Sequence, residues 1–131
     1  MSYTLLLITV PLPANQEEAW SKIEKLQEHY FGDDREKAEV LEVLHGQLTA
    51  QYPCLSSYAD NDPSIDDCPW ADGPMINNFA HDMGTLAITF EAAEYVVPFV
   101  IEKALELGIA VADPQKWEII RPRKPVLSII K

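Results

Sequence analysis

The longest unbroken run of hydrophobic positions lies at the start of the chain. Residues 3–10 read YTLLLITV, with hardly a polar break. A run of this length, rich in aliphatic and β-branched residues, is typical of a strand buried on both faces at the centre of a sheet. Pro11 and Pro13 follow and end the strand, because proline has no N–H to donate to a neighbouring strand.

Two amphipathic helices are predicted next. Asn15 followed by Glu18 is a capping pattern, and apolar residues then recur at helical spacing up to Gly32. A second helix, capped by Asp33 or Asp34, has its own apolar stripe and ends at residues 51–53. The two stripes consist of Ala19, Trp20, Ile23, Leu26 and Tyr30, and of Ala38, Leu41, Leu44 and Leu48.

The second half of the chain predicts two hairpins around a third helix. Residues 75–81 and 85–90 read as strands joined at Gly84, and residues 92–107 read as a helix that ends at Gly108. Residues 109–112 and 117–121 read as a last strand pair around the Asp113-Pro114 turn. Residues 122–131 form a tail or an edge strand.

This order, β-α-α-(long loop)-β-β-α-β-β, predicts the α+β class. We expect a two-layer sandwich: a mostly antiparallel sheet with the amphipathic helices on one face. The 131 residues suit a single domain, residues 1–131. The N-terminus lacks the features of a secretory signal, and no run is long enough to cross a bilayer. A cytoplasmic protein with two reduced thiols, Cys54 and Cys68, is therefore expected.

The net charge of −11 is unevenly distributed. Residues 38–102 contain eleven acidic side chains and no lysine or arginine. Such a field repels nucleic-acid phosphates and anionic membranes, and it attracts cationic partners. The charge pattern therefore favours a basic protein partner and excludes neither small ligands nor structural roles.

The acidic character peaks in a long loop, residues 52–74, which includes SYADNDPSIDDCPWADGP at positions 57–74. A loop of this length in a small domain is usually functional or disordered, and its aromatic residues suggest that it is tethered. One interpretation is a solvated loop that Trp70 pins to the core. The other is an interface of carboxylates and aromatic anchors. The candidate partner-binding residues are Tyr58, Asp60, Asp62, Asp66, Asp67, Trp70 and Asp72, whereas Trp20 and Trp117 are expected in the core.

Metal and catalytic motifs fit poorly. The aspartates from Asp60 onward resemble a calcium loop, but Ile65 stands where glycine is needed and Ala71 where the bidentate glutamate is needed. The cysteines and histidines lack zinc spacing. No nucleophile elbow or phosphate-binding glycine loop occurs. We predict no metal, no cofactor and no catalytic residue.

Several short motifs carry a resemblance. CPWADGP at residues 68–74, the helix AAEYVVPFVIEKALELG and the segment GIAVADPQ resemble, in their order and spacing, a group of uncharacterised bacterial proteins of similar length. That group is similar to immunity proteins of polymorphic toxin systems, which are encoded beside the toxin that they neutralise. One departure is Ala112, where the group usually has an aromatic residue.

The resemblance and the charge together predict a non-enzymatic immunity protein that binds a cognate toxin domain with a basic surface. An alternative is a small enzyme or ligand-binding protein that uses a cleft beside the acidic loop, with Asp66, Asp67 or His81 as polar groups. A third hypothesis is a module that self-associates through its C-terminal tail, where residues 126–130 are mostly apolar.

Overall fold

The computed structural model describes residues 2–30, 32–59 and 61–122. Four strands form one antiparallel sheet in the order β2-β1-β3-β4: β1 (Ser2–Ile8), β2 (Met83–Thr89), β3 (Ala110–Asp113) and β4 (Glu118–Ile120). Three helices pack on it: α1 (Gln16–Tyr30), α2 (Glu39–Gln51) and α3 (Phe90–Glu106). The predicted α+β class and antiparallel sheet are confirmed.

β1 occupies the interior of the sheet, as its apolar run predicts. It pairs with β2 along its full length, from Ser2↔Thr89 to Ile8↔Met83, and with β3 over residues 6–8. Successive side chains of a strand point to opposite faces, so a strand that is apolar at every position needs cover on both sides.

The helices provide that cover from both faces, which corrects the two-layer arrangement predicted from the sequence. One face of the sheet, with Leu5 and Leu7, packs against α2, α3 and Trp70. The other face, with Leu6 and Ile8, packs against Trp20 and Ile23 of α1. The physical reason lies in β1 itself, because helices on a single face would leave half of its aliphatic side chains in water.

One predicted strand and the predicted start of one helix are wrong. The segment predicted as a strand over residues 75–81 contains a 3-10 helix, Met75–Asn78, and only a single bridge, Phe79↔Gly84, joins it to β2. α2 begins at Glu39 rather than after Asp33. The Asp33 carboxylate instead accepts hydrogen bonds from the backbone and guanidinium of Arg35, which also pairs with Asp82.

The two tryptophans predicted in the core behave differently. Trp20 is buried, but Trp117 is 58% exposed, in the turn immediately before the short hairpin strand β4. Their rings are stacked with centroids 4.1 Å apart, so Trp117 covers Trp20 from the solvent side. Of the predicted C-terminal tail, residues 122–131, all but Pro122 lie outside the described residues, and self-association through the tail stays a prediction.

Candidate partner-binding surface

The acidic loop is fastened to the sheet by Trp70. Its side chain is 1% exposed, and its indole nitrogen donates to the carbonyl oxygen of Tyr52 at 2.6 Å. The neighbouring backbone runs along the outer edge of β2: Ala71 donates to Ala87 at 2.8 Å, and Thr89 donates to Pro69 at 2.8 Å. The predicted role of Trp70 as an exposed anchor is therefore wrong, because a buried indole cannot contact a partner.

A 3-10 helix, Pro63–Asp67, carries the central aspartates of the loop. Asp62 caps it by accepting hydrogen bonds from the Ser64 amide at 2.9 Å and the Ser64 hydroxyl at 2.6 Å. These bonds hold the pKa of Asp62 below its usual value. Asp62 therefore positions the turn that presents Asp66 and Asp67 to solvent.

Asp66 and Asp67 line one wall of a groove whose other wall is the start of α3. We call the groove formed by Asp66, Asp67, Glu91 and Tyr95 the acidic groove; Cys68, Thr89 and Ala92 complete its lining. The groove has a volume of about 510 Å³ and is open to solvent. It brings together three carboxylates from two separate segments of the chain.

Aromatic side chains accompany these carboxylates. Tyr95 is 54% exposed, and its ring lies 6.1 Å from that of Tyr52, which in turn makes an edge contact with Trp70. Phe90 is 49% exposed and makes an edge contact with Tyr3. Large exposed rings held by neighbouring rings lose little freedom on binding, so they suit a protein interface. Tyr95, which lines the acidic groove, and Phe90, which directly precedes Glu91, therefore present exposed rings, whereas the Trp70 ring is buried.

The groove carboxylates have no cationic partner among the described residues. The ion pairs within the described part of the chain join Arg35 to Asp33 and Asp82, and Lys103 to Glu106; none involves a groove carboxylate. Arg121, a cation from the C-terminal segment, donates instead to the carbonyl oxygens of Leu12 and Pro13. Within residues 2–30, 32–59 and 61–122, the negative charge of Asp66, Asp67 and Glu91 is therefore not compensated by an ion pair.

The other predicted site residues lie apart from the groove lining. Tyr58 is half-buried against the core, and burial together with the neighbouring Cys68 and the aspartates raises its pKa. Asp72 is exposed and accepts a hydrogen bond from the Asn78 side-chain amide at 3.3 Å. Asp60 lies outside the described residues. His81, a candidate for the alternative function, precedes β2, whereas Asp66 and Asp67 lie at the far end of that strand.

Glu91, Tyr95 and Phe90 were missed in the sequence. One signal could have identified Tyr95: it falls outside the apolar stripe of α3, whose buried members are Ala92, Val96, Val97, Val100 and Ala104. A large aromatic side chain on the polar side of an amphipathic helix indicates a contact surface more strongly than a charged one does.

Within the described residues, no three histidine, cysteine or carboxylate side chains are placed to hold a metal ion. None of the helices there has the length and apolar character needed to cross a bilayer. The chain matches no protein-family model, and neither curated proteins nor solved structures give a match.

Proposed function

We propose that this protein is a non-enzymatic, immunity-type inhibitor that binds the basic surface of a cognate bacterial toxin domain through the acidic groove. The observation that carries the proposal is the groove itself. Three carboxylates that have no cationic partner in the described part of the chain share a groove with the exposed ring of Tyr95, and the chain has no lysine or arginine between residues 38 and 102.

Charge and aromatic anchors do different work in such an interface. Unpaired carboxylates attract a cationic surface over distances of about 10 Å at ordinary salt, which raises the rate of encounter. Tyr95 and Phe90 then bury apolar area against the partner and slow dissociation. A nuclease-like toxin is a suitable partner, because a surface that binds phosphates is also complementary to these carboxylates.

The resemblance of residues 68–115 to a group similar to immunity proteins supports the same role. An immunity protein acts where its toxin would act, so the proposal includes a cytoplasmic location. It also includes no direct binding to nucleic acid or membranes, because the same field repels both.

The test is to co-express the protein with the toxin domain encoded by the neighbouring reading frame. We expect the two chains to co-purify as a stable complex in which the toxin is inactive. The variant Asp66→Asn/Asp67→Asn should weaken that complex. The matched control is Glu24→Gln/Glu28→Gln, which removes the same charge from exposed positions of α1, on the opposite face of the sheet. Equal weakening by both variants would contradict the groove as the interface.

The alternative function is a small enzyme or a ligand-binding protein, and the size of the groove favours it. A volume of about 510 Å³ is within the range of small-molecule sites. With three carboxylates in the lining, the ligand would be cationic. Titration with small polyamines separates the two functions: tight saturable binding lost in Asp67→Asn, with no toxin complex, would favour the alternative.

A further inference from the structure

The segments that carry Cys54 and Cys68 come together near the ends of the acidic loop. The Cys68 thiol donates to the carbonyl oxygen of Pro53 at 3.7 Å, and Pro53 is bonded directly to Cys54. The Trp70 indole, two residues beyond Cys68, donates to the carbonyl oxygen of Tyr52, which directly precedes Pro53. The two short segments that carry the thiols therefore lie side by side, and both thiols are free.

The surroundings of the Cys54 sulfur suit a thiolate. The Met75 amide donates to it at 3.4 Å, and the Ser56 hydroxyl lies 3.3 Å away. Burial acts to raise the pKa of Cys54, but the hydrogen bonds from Ser56 and from the Met75 amide outweigh it and lower the pKa. Cys54 is only partly buried, so part of the residue is open to solvent.

Cys68 has the opposite character. Its residue is 4% exposed, and burial raises the pKa of its thiol, with a further contribution from the charge of Cys54. One partly exposed cysteine that favours the thiolate, on a segment next to that of a buried thiol, is the arrangement of an attacking and a resolving cysteine.

We propose that Cys54 and Cys68 form an oxidation site whose substrate is hydrogen peroxide and whose product is a disulfide between them. The Cys54 thiolate attacks one peroxide oxygen; the S–O bond forms, the O–O bond breaks, and the other oxygen leaves as water after taking up a proton. The Cys68 sulfur then attacks the sulfenic sulfur of Cys54. The S–S bond forms, the S–O bond breaks, and the departing hydroxide takes the Cys68 proton to give a second water.

The balance is two thiols oxidised by two electrons and one hydrogen peroxide reduced to two waters. The disulfide would close the chain between residues 54 and 68, which includes the 3-10 helix that carries Asp66 and Asp67. The inference goes beyond the proposed function and does not depend on it, because the chemistry is measured on the isolated protein.

The experiment treats the reduced full-length protein with hydrogen peroxide, then alkylates the remaining thiols and measures intact mass and linked peptides. We expect a monomer that has lost two hydrogen atoms, with Cys54 and Cys68 peptides joined and released again by dithiothreitol. Oxidation should be about three- to ten-fold faster than that of free cysteine measured alongside, because more of Cys54 is thiolate.

Three variants assign the roles. Cys68→Ser should react at the wild-type initial rate but stop at a sulfenic acid that dimedone traps, whereas Cys54→Ser should lose the fast reaction. Ser56→Ala keeps both thiols and should slow the first step. A circular dichroism spectrum checks that each variant is folded. Because the wild type alone decides the product, a variant that misfolds does not block the test.

Other products would overturn the proposal. These are a wild type oxidised no faster than free cysteine, disulfide-linked dimers in place of the internal disulfide, or Cys54 carried to the sulfinic acid with Cys68 still reduced.

Discussion

The indole nitrogen of Trp70 donates a hydrogen bond to the carbonyl oxygen of Tyr52 at 2.6 Å, joining the two ends of the acidic loop. The same side chain packs among the aliphatic residues of the sheet and of helices α2 and α3. One residue thus connects the loop that carries the charge to the core that carries the stability. The position of Asp66 and Asp67 depends on this attachment.

Trp70→Ala should destabilise the protein by about 3 to 5 kcal/mol, because it leaves a large cavity in the core. Urea unfolding followed by circular dichroism measures this change. Trp117→Ala is the matched control, since it removes the same side chain from a 58% exposed position. It should cost about 1 kcal/mol, mostly the stacking with Trp20. Equal costs would show that Trp70 is not the attachment of the loop.

Asp66→Asn/Asp67→Asn should slow association with the basic partner by about three- to ten-fold and flatten its dependence on salt. The reason is that both carboxylates lack a cation among the described residues and act through long-range attraction. Stopped-flow association at several salt concentrations measures the effect. Glu24→Gln/Glu28→Gln should leave the association rate nearly unchanged. If the association rate of the Asp66→Asn/Asp67→Asn variant depends on salt as strongly as that of the wild type, these carboxylates do not steer association.

Tyr95→Ala should act on dissociation instead, raising its rate about ten-fold while association stays nearly constant. The ring is 54% exposed and is held against Tyr52, so it can enter the interface without reorganisation. Surface plasmon resonance separates the two rates. Tyr95→Phe keeps the ring and should retain most of the affinity. An unchanged dissociation rate for Tyr95→Ala would place the anchor elsewhere.

Most elements of the fold were predicted from the sequence, including the short strands β2, β3 and β4, and the clearest signals came from long apolar patterns. β1 and the three helices each have a pattern that only one structure satisfies, and all four are present. The prediction of a strand over residues 75–81 was wrong. Ile76 and Phe79 are compatible with a strand, but their spacing of three residues also fits one 3-10 turn. Short apolar runs do not distinguish between the two. Burial of β1 on both faces was predicted, and it already required helices on both faces.

Only one wall of the acidic groove, with Asp66 and Asp67, was predicted from the sequence. Asp66 and Glu91 are separated by 25 positions, and two features of the fold bring them together. The Thr89 amide donates to the Pro69 carbonyl, and α3 begins directly after Thr89 with no intervening loop. No short sequence motif predicts that the loop pairs with the edge of β2, because this pairing depends on where the Trp70 side chain is buried.

Two glycines offer a paired test of the packing. A Cβ at Gly84 would lie 2.6 Å from the Phe79 ring, which is buried, whereas a Cβ at Gly46 would meet nothing within 4 Å. Gly84→Ala should therefore cost about 1 to 3 kcal/mol through overpacking. Gly46→Ala, in the exposed side of α2, should stabilise by about 0.5 to 1 kcal/mol. Urea midpoints measure both, and a stabilising Gly84→Ala would mean that Phe79 does not pack against β2.

The last prediction concerns Tyr3 and Asp113. Asp113 is 2% exposed and accepts hydrogen bonds from the Tyr3 hydroxyl, from the Gln115 amide at 3.0 Å and from its side chain at 2.7 Å. Tyr3→Phe removes one donor from a buried carboxylate, so it should destabilise the protein by about 1 to 3 kcal/mol at neutral pH. Tyr95→Phe removes an exposed hydroxyl as the control and should change little.

The cost of Tyr3→Phe should depend on pH in a defined direction. Burial raises the pKa of Tyr3 from 10 to about 12, with further contributions from the hydrogen bond and charge of Asp113 and from the charge of Glu118. The folded state thus keeps the phenol neutral where the unfolded chain would ionise it. The resulting stability is complete below pH 10 and is lost as pH rises through about 12. Tyrosinate absorbance should therefore show one late-titrating tyrosine fewer in Tyr3→Phe than in the wild type. Equal unfolding midpoints for the two proteins at neutral pH would show that this hydrogen bond contributes nothing.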